Sequence, residues 1–157
     1  MRNEEVWQPS KFVSGARGLQ ASRDLRMVSL PSRLLADMVA SFLEIAIKFH
    51  ARGRLLDLGC GAVPLYITYR DRVDEVVCVD WGKSPHRINH VDVEHDLIKP
   101  LPFEDGRFDT VLLSDVLEHI PEPGLLCAEI ARVLSPGGTL ILNVPFLYWI
   151  HESPHDF

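Results

Sequence analysis

Acids recur at the ends of apolar runs in this chain. Asp57 closes the run Arg54–Leu58 and is followed by Gly59-Cys60-Gly61. Asp80-Trp81 ends the run from Glu75, and Asp96-Leu97 follows His90–His95. Ser114-Asp115 ends the run from Phe108, with Glu118-His119 just beyond. A carboxylate accepts hydroxyl donors and favours a nearby cation. An aromatic ring can cover a flat heterocycle, and glycines let a ligand approach the main chain. A histidine such as His119 can accept a proton near neutral pH. Each residue alone has a plainer reading as a turn former, a helix cap or a core side chain. Their recurrence at one end of successive runs is what a core does not require.

The elements that would position them alternate. Arg54–Leu58, Glu75–Asp80, His90–His95, Phe108–Ser114 and Thr139–Val144 read as strands. Val63–Arg72 and Pro123–Leu134 read as helices, with Pro64 tolerated in the first turn of its helix. Ser135-Pro136-Gly137-Gly138 reads as a turn. Before them, Leu34, Leu35, Met38, Val39, Phe42, Ile45, Ala46 and Phe49 recur at helical spacing. They predict an amphipathic helix with that face on a sheet, Ser32 capping its start and Gly53 past its end. Residues 1–30 read as a loose lead-in with one short helix, and 31–157 as the domain proper. Apolar strands alternating with helices predict an α/β fold, a parallel sheet covered on both faces. In such sheets ligands bind beyond the carboxyl ends of the strands.

Composition narrows the partners. The formal net charge of −6 argues against nucleic acid, which wants a basic face. Cys60, Cys78 and Cys127 are scattered, without a CxxC pair, and read as reduced cysteines of a cytoplasmic protein. The N-terminal stretch lacks a signal-peptide apolar core, and the apolar run from Thr139 to Ile150 is too short to span a bilayer.

Asp80 lies roughly 20 positions after Asp57, the interval expected of an acid gripping ribose hydroxyls. The dinucleotide pattern G-x-G-x-x-G fails at its last position, where Pro64 stands, and no G-K-[ST] occurs. The motifs LLDLGCGAVPLY, VVCVD, HDLIKPLPFEDGRFDTVLLSDVLEHIPEP and EIARVLSPGGTLILNVPF, in that order, resemble the class I S-adenosylmethionine-dependent methyltransferases of the type 11 group. The resemblance runs from about Arg54 to Phe157.

That resemblance implies S-adenosylmethionine as cofactor and a Rossmann-like, mostly parallel sheet. Asp57, Gly59, Cys60 and Gly61 would surround the methionine end. Asp80 would bind the ribose, Trp81 would lie beside the adenine, and Asp96 and Leu97 would meet the adenine edge. Ser114 and Asp115 would border the transfer site. The cofactor carries cations and no phosphate, which suits an acidic rim. His119 and His151 are the candidate catalytic residues, and His151, Glu152 and His155 border the family's acceptor pocket. Residues 151–155 also spell H-E-x-x-H, but Pro154 would break the helix that a zinc site needs, so no metal is expected.

The sequence departs from the family at Val63, where a third glycine is usual. It supplies five of the family's seven strands, which suggests a C-terminally truncated version with an open apolar edge at the fifth strand, prone to self-association. The expected function is methyl transfer to a small-molecule acceptor. The alternatives are a cofactor-binding module without turnover and, less favoured, a nucleotide-dependent oxidoreductase domain.

Overall fold

Alternation along each strand decides which face of the sheet its side chains serve. The computed structural model describes residues 1–82 and 89–145. In chain order the elements are β1 (Phe12–Gly15), β2 (Gly18–Ala21), α1 (Arg33–His50), β3 (Arg54–Leu58), α2 (Tyr66–Tyr69), β4 (Glu75–Asp80), β5 (Val93–Glu94), β6 (Phe108–Ser114), α3 (Pro123–Val133) and β7 (Leu134–Asn143). The five later strands form one sheet in the order β5-β4-β3-β6-β7, with every pairing parallel. This is the expected Rossmann-like α/β architecture. Leu55, Cys78, Leu112 and Ile141 face one core with α1, the β1–β2 hairpin, Tyr66 and Tyr69. Leu56, Leu58, Val79, Val111 and Leu113 face the other, against Leu126, Ile130 and Val133 of α3. No helix of the described residues is long and apolar enough to cross a membrane.

Three strands hold their expected bounds, and the rest of the pattern is adjusted. The weak third strand contracts to Val93–Glu94. The Ser135–Gly138 turn is absorbed into β7 as an irregularity. Leu134 pairs with Phe108 and Thr139 with Thr110, so the extra residues bulge out of the ladder. The expected helix Val63–Arg72 shrinks to the single turn of α2. Val63 sits at φ +52°, a left-handed backbone that no helix can contain, so helix begins only beyond Pro64.

The N-terminal thirty residues are not a loose lead-in. They carry a 3-10 turn at Glu4–Val6 and the hairpin, with Phe12, Leu19, Ala21 and Val28 buried in the same core as α1. The rotation of α1 also differs from expectation. Its buried residues are Ala36, Ala40, Leu43 and Ile47; of the anticipated face, Val39 and Ala46 pack against this core, while Leu34, Leu35, Met38, Phe42, Ile45 and Phe49 point outward. Polar ties explain the turn. Asp37 Oδ1 accepts the Ala21 N–H at 2.8 Å, and Glu44 Oε2 accepts the Leu19 N–H at 3.0 Å. These carboxylates satisfy edge donors of β2 and fix the helix against the hairpin, and the small alanines permit the approach. Ser32 precedes α1, but its hydroxyl pairs with that of Ser29 rather than capping the helix. Gly53 lies beyond Ala51, the residue that ends the helix in extended conformation.

The LPFEDG loop is clamped from α3. Arg132 donates to the carbonyls of Leu101 and Phe103 and to Asp105, while Glu129 accepts the Leu101 N–H at 2.7 Å. The clamp ties the approach to β6 onto α3.

Val63 is fully buried at its strained φ. Strain of about 1–3 kcal/mol opposes a burial gain of about 1.5–3 kcal/mol. We expect Val63→Gly to leave stability within about 1 kcal/mol of the parent, because relief and loss offset. Val63→Ala keeps much of the strain and loses the methyls, and should cost about 1.5 kcal/mol or more. Urea unfolding of the two variants measures both.

Candidate functional site

The strand order changes direction between β3 and β6, the switch point beyond whose carboxyl ends ligands bind in open α/β sheets. The structure brings Asp57, Gly59, Cys60, Gly61, Asp80, Trp81, Ser114 and Asp115 to this rim. Asp57 shares the Leu55 face of β3 and is buried there, beside α2. The Tyr69 hydroxyl donates to Asp57 Oδ2 at 2.7 Å. Burial pushes the Asp57 carboxyl up to about 7; the Tyr69 hydrogen bond opposes the rise and the charge of Asp80 adds to it.

The Gly59–Gly61 loop is fastened to the end of β4. The N–H groups of Gly59 and Cys60 both donate to the Val79 carbonyl, at 2.8 and 3.1 Å. The Gly61 N–H donates to Asp80 Oδ2 at 2.6 Å, and Asp80 Oδ1 accepts the Trp81 N–H at 2.6 Å. A carboxylate has about four acceptor positions, so two N–H bonds leave Asp80 capacity for hydroxyls. Gly59 takes φ +67°, and a Cβ there would run into the Val116 side chain. Only glycine lets the two loops come this close. Trp81 is partly exposed beside Asp80.

Asp115 also has a left-handed backbone, at φ +56°. Its Oδ2 pairs with Lys11 Nζ at 2.7 Å and its Oδ1 accepts from the Asn143 amide, while its own N–H donates to the Asn143 carbonyl. Ser114 pairs with Asn143 in the ladder. Asp96 lies past β5, where its Oδ1 accepts the Ile98 N–H at 3.2 Å and shapes the turn, and the Leu97 side chain is buried in the α3-side core. His119 ends a 3-10 turn after β6, with Nε2 at 3.9 Å from Glu118 Oε1. His151, Glu152 and His155 lie outside the described residues. Among the described residues no group of His, Cys, Asp or Glu could hold a metal ion.

Four residues of the rim escape sequence reasoning. Trp7 donates its indole N–H to the Val63 carbonyl at 3.1 Å and stacks edge-on against Tyr66. Lys11 reaches Asp115 from more than a hundred residues away. Tyr69 partners Asp57 from a helix of one turn. Only Asn143 carried a signal, as a polar residue closing an apolar strand like the acids of the other strands.

The donors that a pyrophosphate would need are spent within the loop, on Val79 and Asp80. What the rim offers instead is carboxylate. It therefore fits a ligand with hydroxyls and positive charge better than a phosphate.

A family model described as a methyltransferase domain matches residues 56–142. A ubiquinone biosynthesis O-methyltransferase of Hahella chejuensis is 32% identical over 114 residues, 66% of this chain and 46% of that protein. The solved structure of the cyclase SpnF superposes with a TM-score of 0.57 at 27% identity, over 70% of this chain and 45% of its own. A protein of Pyrococcus horikoshii gives a TM-score of 0.55 at 31% identity, over 73% and 58%. The chain spans about half the length of the curated relatives it matches.

Unfolded, Asp57 titrates at its ordinary 3.8; folded, at about 7. The folded chain holds an extra proton between these values. This carboxyl's contribution is therefore intact below about pH 4 and is lost as pH rises through about 7. The loss amounts to as much as about 4 kcal/mol by pH 8. Asp57→Asn keeps an oxygen acceptor for Tyr69 and has no proton to lose. Its stability relative to the parent should rise steadily over that range, as urea unfolding at a series of pH values would record.

Proposed function

The chain belongs to the methyltransferase-domain family, and we propose that it binds S-adenosylmethionine at its carboxyl rim for methyl transfer to a small-molecule acceptor. The observation that carries this reading is the loop fastened to β4: its amides are engaged and its open capacity is acidic. The cofactor, when bound, supplies an activated methyl group on a sulfonium, which an oxygen, nitrogen or carbon nucleophile attacks in line as the carbon–sulfur bond breaks.

The chain's own residues hold and orient. In this reading Asp80 accepts ribose hydroxyls on the lone pairs left over from Gly61 and Trp81, and Trp81 lies along the adenine. Asp96 and the backbone at Leu97 meet its edge. Asp57 and the Gly59-Cys60-Gly61 loop enclose the methionine end. Ser114 and Asp115 border the transfer site, where Lys11 already gives the Asp115 carboxylate a cationic partner. His119 is the described candidate to take the acceptor's proton, and His151 is a second candidate. The methyltransferase unit runs from residue 31 to 157, and the segment 1–30, packed into the same core, contributes Lys11 to its rim. The setting is the cytoplasm, in keeping with reduced cysteines, and the edge of β7, which pairs with no further strand among the described residues, is a place for self-association. A binding module without turnover is the second reading.

Calorimetric titration with S-adenosylhomocysteine tests the proposal. The parent should bind it and ignore NADH. Asp80→Asn, checked by circular dichroism for an intact fold, should lose about tenfold or more in affinity. A folded parent that does not bind would reject the cofactor assignment. Binding without methylation of any acceptor tried would favour the module.

A further inference from the structure

The outward face of α1 is too apolar for a solvated helix. Leu34, Phe42 and Phe49 are 74%, 69% and 81% exposed, and Leu35, Met38 and Ile45 about half exposed. Leu35, Met38, Phe42, Ile45 and Phe49 alternate at steps of three and four, the spacing of a seam between paired helices. The opposite face of the same helix already packs on the hairpin through Ala36, Ala40, Leu43 and Ile47. One helix thus carries two apolar stripes, and the protein's own core uses the weaker one.

We propose that this stripe is a homodimer interface in which α1 pairs with α1 of a second copy across a two-fold axis. In an antiparallel pairing the seam matches itself: Met38 of one copy meets Phe49 of the other, and Phe42 meets Ile45. An isologous contact demands such self-complementarity. Charge favours the same occupant. The acids of α1, Asp37 and Glu44, turn to the hairpin, and Lys48 on the exposed side is paired with Glu44 at 2.8 Å. The face therefore offers a charged partner little to complement. Ser41, small and near the middle of the helix, allows close approach. The five seam side chains at roughly 120 Å² each remove about 1,200 Å² from water in the pair, the lower limit of a specific, stable interface.

The contact lies on α1, not on the edge of β7, so the two modes of association can be told apart. Sedimentation equilibrium of the 157-residue chain at about 50 μM should give a dimer. Phe42→Glu with Ile45→Lys should give a monomer with an unchanged circular dichroism spectrum, because both positions are outside the core. Leu142→Lys on β7 should leave the dimer intact. A monomeric parent would overturn the proposal and leave the stripe to another polypeptide segment or a lipid surface. A dimer broken by Leu142→Lys and unaffected by the α1 variant would overturn it in favour of the strand edge.

Discussion

The carbonyl of Val79 accepts two successive amides of the loop after β3, and the carboxylate of Asp80, one residue on, accepts a third. Nearly everything at the rim depends on this fastening. It can form only because β3 and β4 run parallel in a register that sets Leu58 beside Val79. The loop then leaves β3 at the level where β4 ends. The two faces of this sheet are covered by helices and loops, among them the loop that Arg132 clamps. A change far from the rim that slipped this register by one residue would turn Asp57 to the other face and detach the loop.

The same fastening explains why an acid stands in a core position. Asp57 shares a face with Leu55, where an apolar side chain would serve stability better. Burial makes its charge costly, and Tyr69 offsets only part of that cost. A carboxyl whose titration is raised by burial to about 7 lowers stability as it ionises, so its place in the core is a cost to the fold. Val63 and Asp115 add to the pattern. Both hold left-handed backbones without being glycine, one in the loop after β3 and one directly after β6.

The sheet was legible because its strands are long, apolar and punctuated by acids; Arg54–Leu58, Glu75–Asp80 and Phe108–Ser114 match their expected bounds. The rotation of α1 was not, because periodicity finds apolar stripes without saying which one is buried when a helix carries two. Asp37 and Glu44 decided that, through bonds to a hairpin whose own strands are too short to announce themselves. α2 was overestimated because Val63 looks like a helix residue in sequence and is a left-handed one in space. Of the rim, the residues at strand ends were legible and those arriving from elsewhere were not. Lys11 and Trp7 reach the site only through tertiary packing, which no local pattern encodes.

The ion pair between Lys11 and Asp115 joins the first dozen residues to the end of β6, a separation of 104 positions. Such a contact closes a loop of most of the chain, and its entropy must be spent before the contact rewards it. During synthesis from the N-terminus, Lys11 emerges long before its partner exists. The hairpin and α1 can assemble early, while the rim is finished only after β6 and β7 have joined the sheet. The rim that gathers these charges is therefore the last part to acquire its shape, and its completion follows the assembly of the sheet.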